Sequence, residues 1–560
     1  MALMNELLPG LNRQNLGREM LAGVTLIAIA IPLNIGYAQV AGLPATAGLY
    51  ALVVPTIIWA LASSSRQLVV SSDAAAASLV ASSIGGLAAA GSQNYASMAL
   101  AQAIICGIVF FLMSVFKLGF LANFLSKPIL IGFVGGISLD IFVSQIAKML
   151  GIHLESGAEF TGKLVGLVTG VGTTNPWSLL IAVCGVAILL VGRKVAPVVP
   201  WALVVMIAAT LTVSITHASD AGVQVLGEVP AGPPVFTWPM LSWGQWLTLV
   251  PSALALAMVV SAEGLLVSRS YGEKHRYQTR LNRDLFAFGA ANIAAGASGS
   301  FALGSSTSRT AAMDQVGSRT QLPSLVLAVG TLLLLVFGTS MLAEIPSPVI
   351  GAIVGVAILP LLGIRELRNL WRLSRFECWI GVVCFAVTLL VGAIAGILVS
   401  FVLALINLVR RAANPAIDVL AENDNPADSL LEDAPAGHVT TEGTIVLRMA
   451  APLFFANASV FTQAVKSAIT AAGGPEVVHH LVIDMEAVTD VDVTAAETFD
   501  GLREWLADAG VDLAFSRVRT GARVRLERFG IARPDDAVYA TNRAAVAATA
   551  VMPNAAVVPD

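Results

Sequence analysis

Apolar stretches long enough to cross a lipid bilayer recur from Leu21 to Leu408, and they constrain the fold before any motif is read. Hydrocarbon offers no water to backbone N–H and C=O groups, so a lipid-facing span closes its hydrogen bonds within itself as a helix. About 17 to 25 residues suffice for a crossing. "LAGVTLIAIAIPLNIGYAQVAG" and "LAQAIICGIVFFLMSVF" are of this kind, and "IGVVCFAVTLLVGAIAGILVSFVLALINLV" is long enough for two helices with a tight turn between them. Charged residues make up 12% of the chain, against roughly 25% in an ordinary soluble protein. An α-helical polytopic membrane protein is expected. The first apolar stretch exceeds a signal-peptide core and lacks a cleavage site, so it is read as a retained span. Cys106, Cys184, Cys378 and Cys384 all lie in apolar segments without metal-ligand spacing and imply neither a disulfide framework nor a metal.

Basic residues set the expected orientation, because short cytoplasmic loops collect Lys and Arg. Arg13 and Arg18 precede the first span, Arg193 and Lys194 follow a later one, and Arg269, Lys274, Arg276, Arg280 and Arg283 crowd one loop. Arg365, Arg368, Arg372 and Arg375 form a further cluster, whereas the loop from Thr216 to Trp243 holds no Lys or Arg. Both termini are therefore expected in the cytoplasm, with an even number of crossings, roughly ten to fourteen by hydropathy. The net charge of −4 points to no nucleic-acid partner. After Arg411, "AENDNPADSLLEDAPAG" is acidic and free of continuous apolar runs. The expected organisation is a membrane domain over 1–412, an acidic linker over 413–438, and a soluble domain with its tail over 439–560.

Two sites of helix interruption stand out. "SSSRQLVVSSDAAAASLVASSIGGL" places a β-favouring run before Ser71, Ser72 and Asp73 and an Ala-rich helical run after them. "GASGSFALGSSTSRTAAM" places a Gly- and Ser-rich stretch before Thr307, Ser308 and a second helical start. Irregular backbone at membrane depth persists only where it is buried or lines a cavity, and two half-helices with converging N-termini offer free N–H groups and positive dipole ends to an anion. Arg309 adds a fixed cation there, with Ser71, Ser72, Thr307 and Ser308 hydroxyls to replace a hydration shell. The bland alternative has Arg309 reaching an interface or pairing with Asp314. A weak internal repeat, "SKPILIGFVGG" against "PSPVIGAIVGV", fits the repeat plan common in secondary transporters.

These residues carry a resemblance to the SulP anion permeases, the family of sulfate permeases, bicarbonate transporters and prestin. "AGVTLIAIAIPLNIGYAQVAGLPATAGLYALVVP" resembles the family's opening signature. "FLSKPILIGFVGG" with "SQIAKMLGI" is similar to its fifth span, "SAEGLLVSRSYGEKHRYQTRLNRDLFAFGAANIAAG" to its eighth and ninth, and "STSRTA" to its tenth. The resemblance covers nearly the whole chain. It implies fourteen segments as two inverted repeats of seven, split into core and gate domains, an elevator-like motion, and a homodimer. By the same resemblance the anion lies among Ser71, Ser72 and Asp73, then Thr307, Ser308 and Arg309, with Asn34 and Tyr37 on the first span. Leu33 stands where the family usually has Gln, and Ser71 and Ser72 where it often has Gly and Pro. Asp73 is read either as a helix cap or as a titrating group in the site.

Glu263 occupies the family's acidic core position and is expected to carry a coupling proton, with sodium as the competing ion; the structural alternative pairs it with Arg309 or hydrogen-bonds it to the bundle. Asp140 and Lys148 are weaker candidates that face water or each other, and His153, His217, His479 and His480 are read as ordinary loop or surface residues.

From Gly443 onward strand and helix patterns alternate, which predicts a small α/β sandwich. "VIDMEAVTDVDVTAAETF" resembles the central segment of the STAS domain, and Thr494 falls where regulatory relatives carry a phosphorylated residue. A plainer reading makes Thr494 and Glu497 a capping box. No nucleophile elbow, nucleotide motif or metal cluster is present in the sequence, so neither an enzyme nor a cofactor is expected. The functional expectation is a bacterial inner-membrane transporter moving a sulfate-class oxyanion with a proton, its STAS domain serving folding, dimer contacts or a cytoplasmic partner. Alternatives are a C4-dicarboxylate symporter, a sodium-coupled bicarbonate transporter and, in a different class, a membrane-anchored regulator.

Overall fold

The computed structural model describes residues 8–119, 126–154, 158–196, 199–421, 434 and 437–550. Two units divide at Ala404/Leu405. The first runs through α1 (Leu16–Val40), α2 (Ala45–Tyr50), α3 (Val54–Ala62), β1 (Val69–Ser71), α4 (Ala74–Ile84), α5 (Gln93–Val115), α6 (Lys127–Leu150), α7 (Phe160–Gly170), α8 (Pro176–Val195) and α9 (Trp201–Thr216). It continues through α10 (Trp243–Lys274), α11 (Leu281–Ala297), β2 (Gly304–Ser306), α12 (Thr307–Val316), α13 (Leu322–Phe337), α14 (Ser347–Ile358), α15 (Ile364–Leu373), α16 (Arg375–Leu390) and the first part of α17 (Ala393–Ala413), within which the division falls. Among the described residues, seven helical stretches are long and apolar enough to span a membrane, and α4, α9 and α13 are shorter apolar helices. The chain is a multi-pass membrane protein.

Apolar side chains point both ways, as expected where lipid replaces water as solvent. Trp59, Phe110, Phe133 and Phe288 fill the interior, while Leu112, Leu211, Leu333 and Phe337 are exposed on helix surfaces. Lipid tails give helices no hydrophobic reason to associate, so small residues that let backbones approach carry much of the packing. Between α5 and α11, a Cβ added to Gly107 would lie 2.7 Å from the Gly289 carbonyl oxygen, and one added to Gly289 would lie 3.0 Å from that of Gly107. The two segments of the weak internal repeat head α6 and α14, and these helices pack on each other. The long apolar run near the end of this unit forms α16 and α17, with Gly392 at φ +117° between them, as its length predicts.

Both expected interruptions exist. β1 and β2 pair antiparallel, Val69 with Ser306, Val70 with Ser305 and Ser71 with Gly304, and each strand leads into a short helix, α4 or α12. Satisfying the irregular backbone with a buried two-stranded ladder is what lets it persist inside a membrane protein. The approaches are stitched as well. Gln321 Nε2 donates to the Ser65 and Leu68 carbonyls, and the buried Asp284 carboxylate accepts from Ser64 N–H, Ser64 Oγ and Ser268 Oγ.

The second unit is an α/β domain whose elements are β3 (Ile417–Val419), β4 (Thr444–Met449), α18 (Ala458–Ala471), β5 (His480–Asp484), α19 (Val493–Asp508), β6 (Asp512–Ser516), α20 (Thr520–Arg528), β7 (Ala537–Tyr539) and α21 (Asn542–Ala550). Among the described residues the strands order β3-β4-β5-β6-β7, with β3 antiparallel and the others parallel. Strand alternation sends Ile445, Leu447 and Ile483 into a core with Phe461, Phe499 and Leu526, and Val446 and Val482 to the opposite face with Ala545 and Val546. Two differences from expectation appear. β3 falls within the stretch 413–438 read as linker, most of which lies outside the described residues, and β7 and α21 follow the last expected helix.

Candidate anion-binding site

The N-termini of α4 and α12 sit at the ends of the β1–β2 ladder, and the expected residues group there. Asp73 is the N-cap of α4, its Oδ1 accepting from the Ala76 N–H at 2.7 Å. This is the capping reading. Its other oxygen lies against β2, since a Cβ on Gly304 would be 1.8 Å from Asp73 Oδ2. Only glycine permits that approach. On the second half-helix the cap is Ser306, whose Oγ accepts from the Arg309 N–H at 3.4 Å. Thr310 Oγ1 donates to the Ser306 carbonyl and accepts from Val69 N–H, so the start of α12 is tied to β1.

Arg309 is 1% exposed, and its Nη2 donates to the Ser72 carbonyl at 2.7 Å. Neither alternative reading of this residue holds. It does not reach an interface, and Asp314 pairs instead with Lys274, His275 and Arg319. Arg309 Nε and Nη1 are buried without hydrogen-bond partners, as are Ser71 Oγ, Ser72 Oγ and Ser305 Oγ. A buried polar group left unpaired costs about 1–3 kcal/mol, more for a charged one, so each such atom at these two helix starts calls for a physical reason. Ser305 pairs with Val70, so its side chain takes the ladder face opposite Ser71 and Gly304, where it lies against Gly264 of α10.

Thr307 and Ser308 are exposed beside the buried Arg309 and face open space. Thr307 Oγ1 donates to Glu263 Oε1 on α10 at 3.4 Å, which brings the acidic residue to the start of α12. Among the described residues no ion pair joins Glu263 to Arg309, while the Thr307 bond is the hydrogen bond to the bundle that the structural alternative also allowed. Tyr37, buried on α1, lies within electrostatic reach of Arg309, Asp73 and Glu263. Asn34 turns back on its own helix, Nδ2 donating to the Ala30 carbonyl, while Oδ1 is buried and unpaired. No described hydrogen bond joins it to the half-helices.

Other candidates fall elsewhere. Asp140 and Lys148 do not face each other: Lys163 holds Asp140, and Lys148 donates to Gln39 Oε1 at 3.0 Å. His153 meets Gln224, and His480 meets Asp512. Thr494, in the C-terminal unit, is exposed at the second position of α19, and the expected capping box is corrected. Asp492 is the N-cap, its Oδ1 accepting from the Ala495 N–H at 2.8 Å. The helix starts two residues earlier than the Thr reading needs, because Asp caps better than Thr and Asp492 comes first.

Comparison with known proteins agrees with this architecture. The Sulfate permease family model matches residues 16–384 and the STAS domain model residues 438–545. A probable sulfate transporter of Mycobacterium tuberculosis is 34% identical over 515 residues, covering 92% of this chain and 91% of the relative. The chloroplastic sulfate transporter 4.1 of Arabidopsis thaliana is 26% identical over 529 residues, covering 92% and 77%. The structure of the murine Solute Carrier 26 family member A9 anion transporter in the inward-facing state has the same fold, with a TM-score of 0.88 over 98% of this chain and 95% of that one at 21% identity. The transmembrane domain of a cyanobacterium bicarbonate transporter aligns with a TM-score of 0.61 at 25% identity, over 70% of this chain and 98% of that one. The chain belongs to the sulfate permease family, with a C-terminal STAS domain; it is a membrane transporter and not an enzyme.

Proposed function

We propose that the chain is a secondary active transporter of a small inorganic oxyanion of the sulfate class, bound at the meeting point of α4 and α12 and coupled to a proton through Glu263. The observation that carries this is the buried Arg309, whose Nε and Nη1 have no protein partner among the described residues while its Nη2 holds the Ser72 carbonyl, together with the unpaired hydroxyls of Ser71 and Ser72. An oxyanion accepts from all of these donors and lies on two positive helix ends. Glu263, beside Thr307, takes up a proton on one side and releases it on the other, which offsets part of the anion's charge in transit. On this reading fourteen segments in two inverted repeats form core and gate, the core carries the anion by an elevator-like motion, two copies assemble, both termini face the cytoplasm, and the membrane is a bacterial inner membrane. The domain limits proposed from the sequence, 1–412 and 439–560 about a linker, go with it.

The test is reconstitution of the purified protein with sulfate, bicarbonate and a C4-dicarboxylate, each with and without an inward proton or sodium gradient. Sulfate uptake accelerated by the proton gradient is expected. Bicarbonate uptake driven by sodium would reassign the substrate and the coupling ion, and no anion-dependent uptake would leave the regulator reading.

A further inference from the structure

We propose a second anion subsite, centred on Lys148, on the route between the Arg309 site and the membrane face opposite the N-terminus. It rests on the reading of the chain as an oxyanion transporter. A cavity of about 390 Å³ lies between the C-terminal parts of α1, α4 and α6, lined among others by Gln39, Ser78, Ser82, Gln145 and Lys148. At about 30 Å³ per liquid water, it has room for an oxyanion with part of its hydration shell. Its inner end comes close to the first site. Ser78 is five residues beyond the Asp73 cap on α4, a rise of about 7.5 Å, and Ser82 is on the same face one turn further out.

The electrostatics of this space are those of a barrier. α1, α4 and α6 all finish around it, at Ala41, Gly85 and Gly151, so their negative dipole ends gather where an anion moving between that face and the Arg309 site must pass. Asp140 takes both of its hydrogen bonds from Lys163, at 2.9 and 2.7 Å, which ties up that cation, and Glu159 at the lining is exposed. Among the described lining residues Lys148 is the cation with no carboxylate partner. Its ammonium donates to Gln39 Oε1 and keeps two further donors. Gln145, one turn back on α6 and 1% exposed, leaves both Nε2 and Oε1 buried without partners. An oxyanion that displaces Gln39 from Lys148 and accepts from Gln145 Nε2 supplies what both side chains lack. The subsite is transient by design, because the surrounding helix ends oppose prolonged occupation.

The plainer role for Lys148 is to balance the end of its own helix, and sidedness separates the two. Labelled sulfate is presented in turn to each face of the full-length protein in proteoliposomes of known orientation. Lys148→Gln is expected to raise KM about tenfold from the face opposite the N-terminus, to flatten its dependence on ionic strength, and to leave KM from the other face within about twofold; Lys148→Arg restores the wild-type values. An unchanged KM from the far face, or an equal rise from both, overturns the subsite. Arg309→Ala, run beside it, is expected to weaken transport from both faces. If it does not, the half-helix reading fails whatever the lysine variant does, and a wild-type protein that moves no sulfate from either face overturns both.

Discussion

At the scale of single residues, the site is a set of costs accepted in one place. A guanidinium 1% exposed and bonded through one nitrogen to a carbonyl has lost its water without gaining a carboxylate. Arg309→Ala is therefore expected to weaken oxyanion binding by one to two orders of magnitude, roughly the worth of a charge-assisted pair, with the thermal unfolding midpoint kept or raised; equal binding by calorimetry would remove the residue from the site. Glu263→Gln is expected to abolish acceleration of uptake by an inward proton gradient while sparing anion exchange, and a variant that still responds places coupling elsewhere. Gly304 is the third case. Its missing side chain is the space that Asp73 Oδ2 occupies, with the added Cβ only 1.8 Å away. Gly304→Ala should displace the α4 cap and lower both stability and binding, and Asp73→Ser should make the same alanine far less harmful, a non-additivity read in a double-mutant cycle.

At the scale of elements, the positions of α4 and α12 were legible because interrupted apolar runs with Ser, Gly and β-favouring residues have few stable forms in a membrane. Their pairing was not. A ladder between Val69–Ser71 and Gly304–Ser306 involves three residues on each side, too short for a periodicity signal and far apart in the chain. The same shortness hid β3 and β7. The cap of α19 was misread by two positions because two competent residues lie close together, Asp492 and Thr494. Asp492→Ala should accordingly cost about 1 kcal/mol in the C-terminal domain, whereas Thr494→Ala should stay within about 0.5 kcal/mol, as shifts of that domain's unfolding transition. A substitution of Thr494 that proved as costly would restore it as the cap.

At the scale of the whole molecule, the two units obey different solvents. The membrane unit has little charge to titrate, while the C-terminal unit has its own apolar core and a set of acid–base contacts. Burial alone would raise the pKa of Asp484, but hydrogen bonds from Asn542, the Glu486 amide and Arg448, with the Arg517 charge, outweigh it and hold the carboxyl below its usual value. Asp536 is held low in the same way, chiefly by Arg503 against its own burial. A carboxyl depressed in the folded state contributes stability that is complete above its unfolded pKa of about 4 and is lost as pH falls through the lower folded value. A fragment beginning at 414 should thus unfold cooperatively with a midpoint flat from neutral pH to about 5 and falling below about 4. Asp484→Asn should flatten that fall. The substrate was never legible, because amides, hydroxyls and one guanidinium suit many oxyanions.

The short ladder between β1 and β2 has one further consequence. Interstrand hydrogen bonds clasp the two helix starts together, so their separation is set by the ladder and cannot widen or narrow without unzipping the strands. On the proposed function the two helix starts would gauge an oxyanion as a fixed calliper rather than a closing hand, and whatever displaces one jaw carries the other along.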